Sequence, residues 1–305
     1  MLVSMSTAHT PAELVLGTAQ LGDPQGGVSS PDASKPVLTA AMNAGIRWYE
    51  TSPTYTNAEV RIGQAFRGDR RAHIITKLAP AALRDPSRGA IEDEVTRASS
   101  RLNVGRLDVL ALNSVTEMKV HDGRLWRTLK ELRDEGTIYD LGVCVSSPEE
   151  AMQALADPAV TYLQLQFNAL DWRWREAGVI DALAARPEVL VHAHSALLFG
   201  ILAGTPGAKW PAFNAIDPEA LRLTLWTMSK DMGRDCPADL CIAYVRAQPW
   251  IHGVIAGAKS PAQLALNIAR FRRPPLNAEE IGRVNAAMPR ASTAMLQGDR
   301  IVRAA

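Results

Sequence analysis

The chain has 305 residues, 47% of them hydrophobic and 21% charged, with a formal net charge of +1. That is the composition of a globular protein, and the length suits one large α/β domain or two small ones. A charge so near zero supplies no field for nucleic acid or an anionic membrane surface, and no apolar run approaches the length of a membrane span.

Cys144, Cys236 and Cys241 are odd in number and share no metal-type spacing with histidine, which argues against a disulfide framework or a zinc site. The opening MLVSMSTAHTPAE has no basic stretch followed by an apolar core, so it does not read as a secretory signal. Together these features predict a reducing, cytoplasmic setting.

In chain order, short apolar runs alternate with amphipathic helical patterns. Strands are expected at Leu14–Gly17, Ile46–Glu50, His73–Lys77, Leu107–Leu112, Ile138–Cys144, Tyr162–Phe167, Val189–His194 and His252–Ile255. Most are apolar on both faces, as buried parallel strands are. Helical patterns lie at Ala33–Ala44, Ala58–Phe66, Arg88–Leu102, Gly123–Glu135, Pro148–Leu155, Ala177–Ala185, Ala238–Gln248 and Pro261–Phe271. Several end near a glycine and two start at a proline, as helix termini favour. Eight such units predict a single-domain (β/α)8 barrel. A doubly wound open sheet is the alternative, but no G-x-G-x-x-G follows the first strand. Segment 196–216 reads as a long irregular loop of functional character. Asn277–Met288 reads as an extra helix, followed by a C-terminal tail from about residue 289 that either crosses a barrel end or is mobile.

In such a barrel the chemistry sits at the C-terminal ends of the strands. Those ends carry Glu50 with Tyr55 in its loop, Lys77, Asn113, Cys144, Gln164, Gln166, Asn168, His194, Ser195, Gly257, Ala258, Lys259 and Ser260. A carboxylate, a phenol, an ammonium and an amide on neighbouring strand ends suit proton transfer. The competing reading of "WYETSPTYTN" is a polar strand exit followed by a Ser-Pro turn. Trp126 and Trp226 fall on helical faces and read as core. Trp172 and Trp210 fall in loops at the mouth, where with Gln20 they are candidates to line a substrate pocket.

The chain resembles the aldo-keto reductases. The segments that carry the likeness are LGTAQLG at 16–22, AGIRWYETSPTYTNAE at 44–59, IITK at 74–77, LDVLALN at 107–113, LGVCVSS at 141–147, LQLQFNALDWR at 163–173, HSALLFGILAG at 194–204 and GVIAGAKSPAQLALNI at 253–268. The resemblance implies a catalytic tetrad of Asp, Tyr, Lys and His, whose positions hold Glu50, Tyr55, Lys77 and Asn113. Tyr55 would donate the proton, Lys77 would lower its pKa, Glu50 would brace Lys77, and Asn113 would be an oxyanion-type donor that does not titrate. The resemblance further implies cofactor contacts from Gln164, His194, Ser195, Leu197, Gly200, Gly257, Ala258, Lys259, Gln263 and Asn267. NADPH is the expected cofactor, with NADH possible, because Lys259 can meet a 2′-phosphate where Gln263 replaces the family's frequent arginine.

The expected function is NAD(P)H-dependent reduction of a small-molecule carbonyl, on a sugar or sugar-like natural-product intermediate. The alternatives are a nucleotide-binding protein with degraded catalysis, motivated by Glu50 and Asn113, and a non-redox lyase or isomerase using Tyr55 and Lys77.

Overall fold

The computed structural model describes residues 11–22, 31–67, 71–204 and 216–297. Parallel strands β1 (Glu13–Gly17), β2 (Trp48–Glu50), β3 (His73–Lys77), β4 (Leu107–Leu112), β5 (Ile138–Val145), β6 (Val160–Gln166), β7 (Leu190–His194) and β8 (Gly253–Gly257) close into a barrel in sequence order. The ring is completed by β1 pairing with β8, from Glu13 opposite Gly253 to Gly17 opposite Gly257.

Helices surround the barrel. They are α1 (Ala19–Gly22), α2 (Pro31–Asn43), α3 (Ala58–Ala65), α4 (Arg88–Leu102), α5 (Arg124–Asp134), α6 (Pro148–Leu155), α7 (Arg173–Glu176), α8 (Val179–Ala184), α9 (Pro218–Asp231), α10 (Pro237–Arg246), α11 (Pro261–Arg272), α12 (Ala278–Ala287) and α13 (Thr293–Gln297). The expected strands and helices are present, with ends that shift by a residue or two. Helix α9 was not expected. It starts where Asp217 accepts hydrogen bonds from the backbone of Glu219 and Ala220, and it buries Leu221, Leu225 and Met228.

Side chains alternate across each strand with a period of two. One set points into the barrel, where Val15, Ile75, Val109, Ala111 and Tyr162 form a buried cluster with Trp48, Cys144, Leu190 and Ile255 against it. The other set, including Leu16, Tyr49, Leu110, Val143, Leu163 and Ala193, packs under the helices. The interior is not wholly aliphatic. His192 is buried there, edge-on to Trp48 at 5.1 Å and to Tyr162 at 5.2 Å between ring centroids.

Two glycines allow backbone or rings to approach. A Cβ on Gly22 would lie 1.8 Å from the Tyr55 carbonyl oxygen, so α1 can press against the Tyr55 loop only without a side chain there. A Cβ on Gly142 would lie 2.5 Å from Tyr162 Cδ1. Residues 291–296, beyond α12, pack on the mouth side of the barrel. Ala291 N–H donates to the Leu170 carbonyl at 3.3 Å, Gln166 Nε2 donates to the Leu296 carbonyl, and Met295 and Leu296 are buried. Among the described residues, no helix is long and apolar enough to cross a membrane.

Candidate active site

The end of β2 is pinned from both sides. Thr18 N–H and Oγ1 donate to the Glu50 carbonyl at 2.9 and 3.0 Å, and Thr51 N–H donates to the Ile75 carbonyl at 2.8 Å. The chain then turns through Ser52–Thr56. Tyr55 N–H donates to the Ser52 carbonyl at 3.0 Å, and Ala58 N–H donates to the Tyr55 carbonyl at 3.0 Å. Glu59 fastens the far side of this turn, accepting from Thr76 Oγ1 at 2.6 Å and from Arg101 Nε at 2.6 Å. So held, the Tyr55 ring turns back over the strand end.

Two donors converge there on one oxygen of Glu50. Tyr55 Oη donates to Glu50 Oε1 at 3.2 Å, and Lys77 Nζ donates to the same Glu50 oxygen. Lys77 also donates to the Thr51 carbonyl at 3.2 Å, and its Nζ lies 5.3 Å from the centre of the Tyr55 ring. The Lys77 and Glu50 side chains are only 9% and 4% exposed, so the pair is nearly dry.

Burial, the largest single effect, pulls the Lys77 ammonium pKa down, but the Glu50 charge and hydrogen bond, together with Cys144 and Tyr55, outweigh it and the net shift is upward. The phenol behaves differently from the sequence expectation. Burial pushes the Tyr55 pKa up, the Glu50 charge pushes it further, and the opposing pull of Lys77 is smaller, so the value rises to about 12. The reason is geometric. Glu50 touches both partners, so its charge offsets that of Lys77 at the phenol.

Asn113 follows β4. Its Nδ2 donates to the Leu78 carbonyl at 3.1 Å, and its backbone N–H donates to Glu117 Oε2 at 3.0 Å. A primary amide carries two N–H hydrogens, so one remains after the Leu78 bond, and the Glu117 carboxyl also feels this side-chain amide.

On the other side of the barrel, Gln164 is buried beside Cys144 in the strand register, and its Oε1 has no hydrogen-bond partner among the described residues. Asn168 Oδ1 accepts from Leu170 N–H at 3.0 Å while its Nδ2 has no partner, and Gln20 Oε1 has none either. His194 Nδ1 lies 2.9 Å from Ser195 Oγ. After it the backbone runs left-handed, with φ of 59° at Ser195, 40° at Leu198, 55° at Phe199 and 92° at Gly200. Leu197 is half-buried before this turn, and Phe199 is 64% exposed on it.

At the end of β8, Ala258 is buried and Lys259 is exposed. Gln263 Oε1 accepts the Lys259 N–H at 2.8 Å, and Asn267 Nδ2 donates to the Gly257 carbonyl at 3.2 Å. Both side chains therefore shape the turn from strand to helix. A Cβ on Gly257 would sit 3.2 Å from Gln20 Cδ, which places Gln20 over this turn.

Trp126 is core, with its Nε1 donating to Asp157 at 2.8 Å, and Trp226 is half-buried. Trp172 stands between the guanidinium groups of Arg290 and Arg175, at 4.8 and 5.7 Å, and lines a crevice with Phe167, Asp171, Ile180 and Tyr244. No tetrad position lines that crevice. Trp210 lies outside the described residues.

Glu117, Tyr162 and His192 were not singled out from the sequence, whereas a tail crossing a barrel end was one of the two expectations for the chain from about residue 289. Glu117 had a signal, because Ser114–Glu117 spells the S-x-x-E of a capping box.

A closed parallel barrel with a buried Lys–Glu pair and a tyrosine at its mouth defines a class of barrel enzyme. The aldo/keto reductase family model matches residues 13–289. The chain belongs to the aldo/keto reductase family and is an oxidoreductase by class. It is 24% identical over 289 residues to the uncharacterized oxidoreductase YqkF of Bacillus subtilis (strain 168), covering 88% of this chain and 90% of the relative. Among solved structures it is similar to the holo form of aldo-keto reductase AKR11C1 from Bacillus halodurans, with TM-score 0.78, 22% identity and coverage of 92% and 93% of the two chains. It is also similar to the glycerol dehydrogenase AKR11B4 from Gluconobacter oxydans, with TM-score 0.72, 23% identity and coverage of 91% of each chain.

Proposed function

We propose that this chain reduces a small-molecule carbonyl to an alcohol with NAD(P)H. The observation that carries the reading is the meeting of Tyr55, Lys77 and Glu50 at a single carboxylate oxygen. A reduced nicotinamide, when bound, supplies the hydride. The residues present fit such a group, since Gln164 Oε1, Asn168 Nδ2 and Gln20 Oε1 are buried polar atoms without partners among the described residues, and an amide-bearing ring offers the matching donors and acceptors.

Tyr55 Oη donates the proton that quenches the developing alkoxide. The Lys77 ammonium stands beside the phenolate left behind, and Glu50 keeps that ammonium in place. The remaining Asn113 N–H steadies the oxygen without titrating. Glutamine and asparagine side chains near the mouth support a polar, hydroxyl-bearing substrate of sugar-like character.

Alcohol oxidation is a second reading, favoured by one observation. A phenol held at about 12 is a weak acid, and its phenolate is a strong base for removing an alcohol proton.

Incubation with NADPH or NADH and a carbonyl panel, following nicotinamide absorbance, tests the first reading. The oxidised nucleotides with an alcohol panel test the second. Absence of turnover in both directions rejects both. The cofactor preference rests on Lys259. Lys259→Ala is expected to weaken NADPH by about 1–3 kcal/mol more than NADH in a fluorescence titration. Equal losses for the two nucleotides would remove Lys259 from the 2′-phosphate.

A further inference from the structure

Glu117 is a buried carboxylate that the reaction as described does not use. It lies on the short 3₁₀ turn Val115–Lys119, which Ser114 caps by accepting the Thr116 N–H at 3.0 Å. Only 9% of the residue is exposed. No ion pair joins it to a lysine or arginine among the described residues, and burial raises its carboxyl above the usual range. A buried carboxylate without a cation is costly to keep. Its hydrogen-bond donor is Asn113: the backbone N–H reaches Glu117 Oε2 at 3.0 Å, and the side-chain amide also opposes the rise of the carboxyl pKa.

A carboxylate four residues along closes another strand end here. Ser146 N–H donates to Glu150 Oε2 at 2.6 Å after β5, where Glu150 is half-exposed. The clamp is thus a local solution for a strand end, but its burial is particular to β4. That strand carries the amide assigned to the reacting oxygen.

We propose that Glu117 is a positioning residue for the reaction. It holds the end of β4 so that Asn113 Nδ2 keeps one hydrogen on the Leu78 carbonyl and turns the other toward the substrate oxygen. The inference rests on the role of Asn113 set out under the proposed function. Without the carboxylate, the peptide at Asn113 is free to rotate and carries the side-chain amide with it. A misplacement of about 1 Å in such a group costs up to about 10²-fold in rate.

The test compares Glu117→Ala, Glu117→Gln, Asn113→Ala, the Asn113→Ala/Glu117→Ala double variant and Glu150→Ala. Single-turnover hydride transfer, nucleotide affinity and Tm are measured for each. Asn113→Ala and Glu117→Ala are each expected to slow hydride transfer by about 10- to 100-fold with nucleotide affinity unchanged. Glu117→Gln retains a carbonyl acceptor and restores most of the rate. The double variant is no slower than Asn113→Ala, because the two residues act through one group. Glu150→Ala lowers Tm without slowing transfer. A Glu117→Ala protein that loses only Tm, or one that Gln does not rescue, overturns the proposal and leaves Asn113 in place. A normal rate in Asn113→Ala removes the role of Asn113 and that of Glu117 with it.

Discussion

Glu50 is one methylene longer than aspartate, and one of its oxygens is where the phenol and the ammonium of this site meet. Its Oε1 accepts from both Lys77 and Tyr55, so the carboxylate acts on the phenol directly as well as through the lysine. Glu50→Gln removes the charge that raises the Tyr55 pKa and leaves the opposing pull of Lys77. The Tyr55 pKa should fall from about 12, and the alkaline limb of alcohol oxidation should move to lower pH. An unmoved limb in the pH–rate profile would show that Tyr55 is not the titrating group. The positions of Glu50, Tyr55 and Lys77 were legible in the sequence, because each lies at or just after the end of a short apolar strand. The sign of the Tyr55 shift was not. It depends on whether a side chain reaches its neighbour, which spacing along the chain does not encode.

The elements place this chemistry by backbone contact. Gly22 at the end of α1 packs on the Tyr55 carbonyl, and Glu59 at the start of α3 ties the same turn to β3 and α4. The Gly22 contact is with backbone, which cannot swing aside as a flexible side chain would. Gly22→Ala should therefore cost about 1–3 kcal/mol in urea unfolding through overpacking. It should also slow turnover, because the displaced segment carries Tyr55, the proposed proton donor. A variant of parental stability and rate would mean that the Tyr55 turn is not braced by α1. Strands β3 and β4 matched their expected ends because each is a compact apolar run bounded by polar or small residues. Helix α9 was missed although Asp217, Pro218 and the spacing of Leu221, Leu225 and Met228 announce it. Its signal follows directly on the long mouth loop, and that loop's irregular composition masked the boundary. The left-handed run from Leu198 to Gly200 was illegible for another reason, since two of its three residues are not glycine.

Across the whole molecule, the barrel interior sets a pH limit on stability. His192 is buried among Trp48 and Tyr162, and burial, aided by the nearby His252, lowers its pKa to about 3. In the unfolded chain the imidazole binds a proton below about 6.5. Between those values the unfolded state holds the extra proton, so this contribution to stability is full above about pH 6.5 and is lost as pH falls toward 3. The loss can reach about 1.4 kcal/mol per pH unit for one group. His192→Leu should flatten the acid side of the curve of unfolding free energy against pH between about 4 and 7. An unchanged slope would mean that His192 takes up its proton in the folded barrel. The alternation of eight short apolar runs with helical patterns made the barrel itself legible. The polar content of its interior was not, because a histidine in an apolar run reads equally well as facing in or out.

Tyr55, set by Glu50 and Lys77, is the proposed proton donor of a nicotinamide-dependent reduction. Single-turnover oxidation of bound NADPH by a carbonyl substrate, compared between the parent and Tyr55→Phe, tests this role most directly. Nucleotide affinity is expected to be equal and the rate lower by about 10²–10⁴-fold in the variant. A Tyr55→Phe protein that transfers hydride at the parental rate would contradict it.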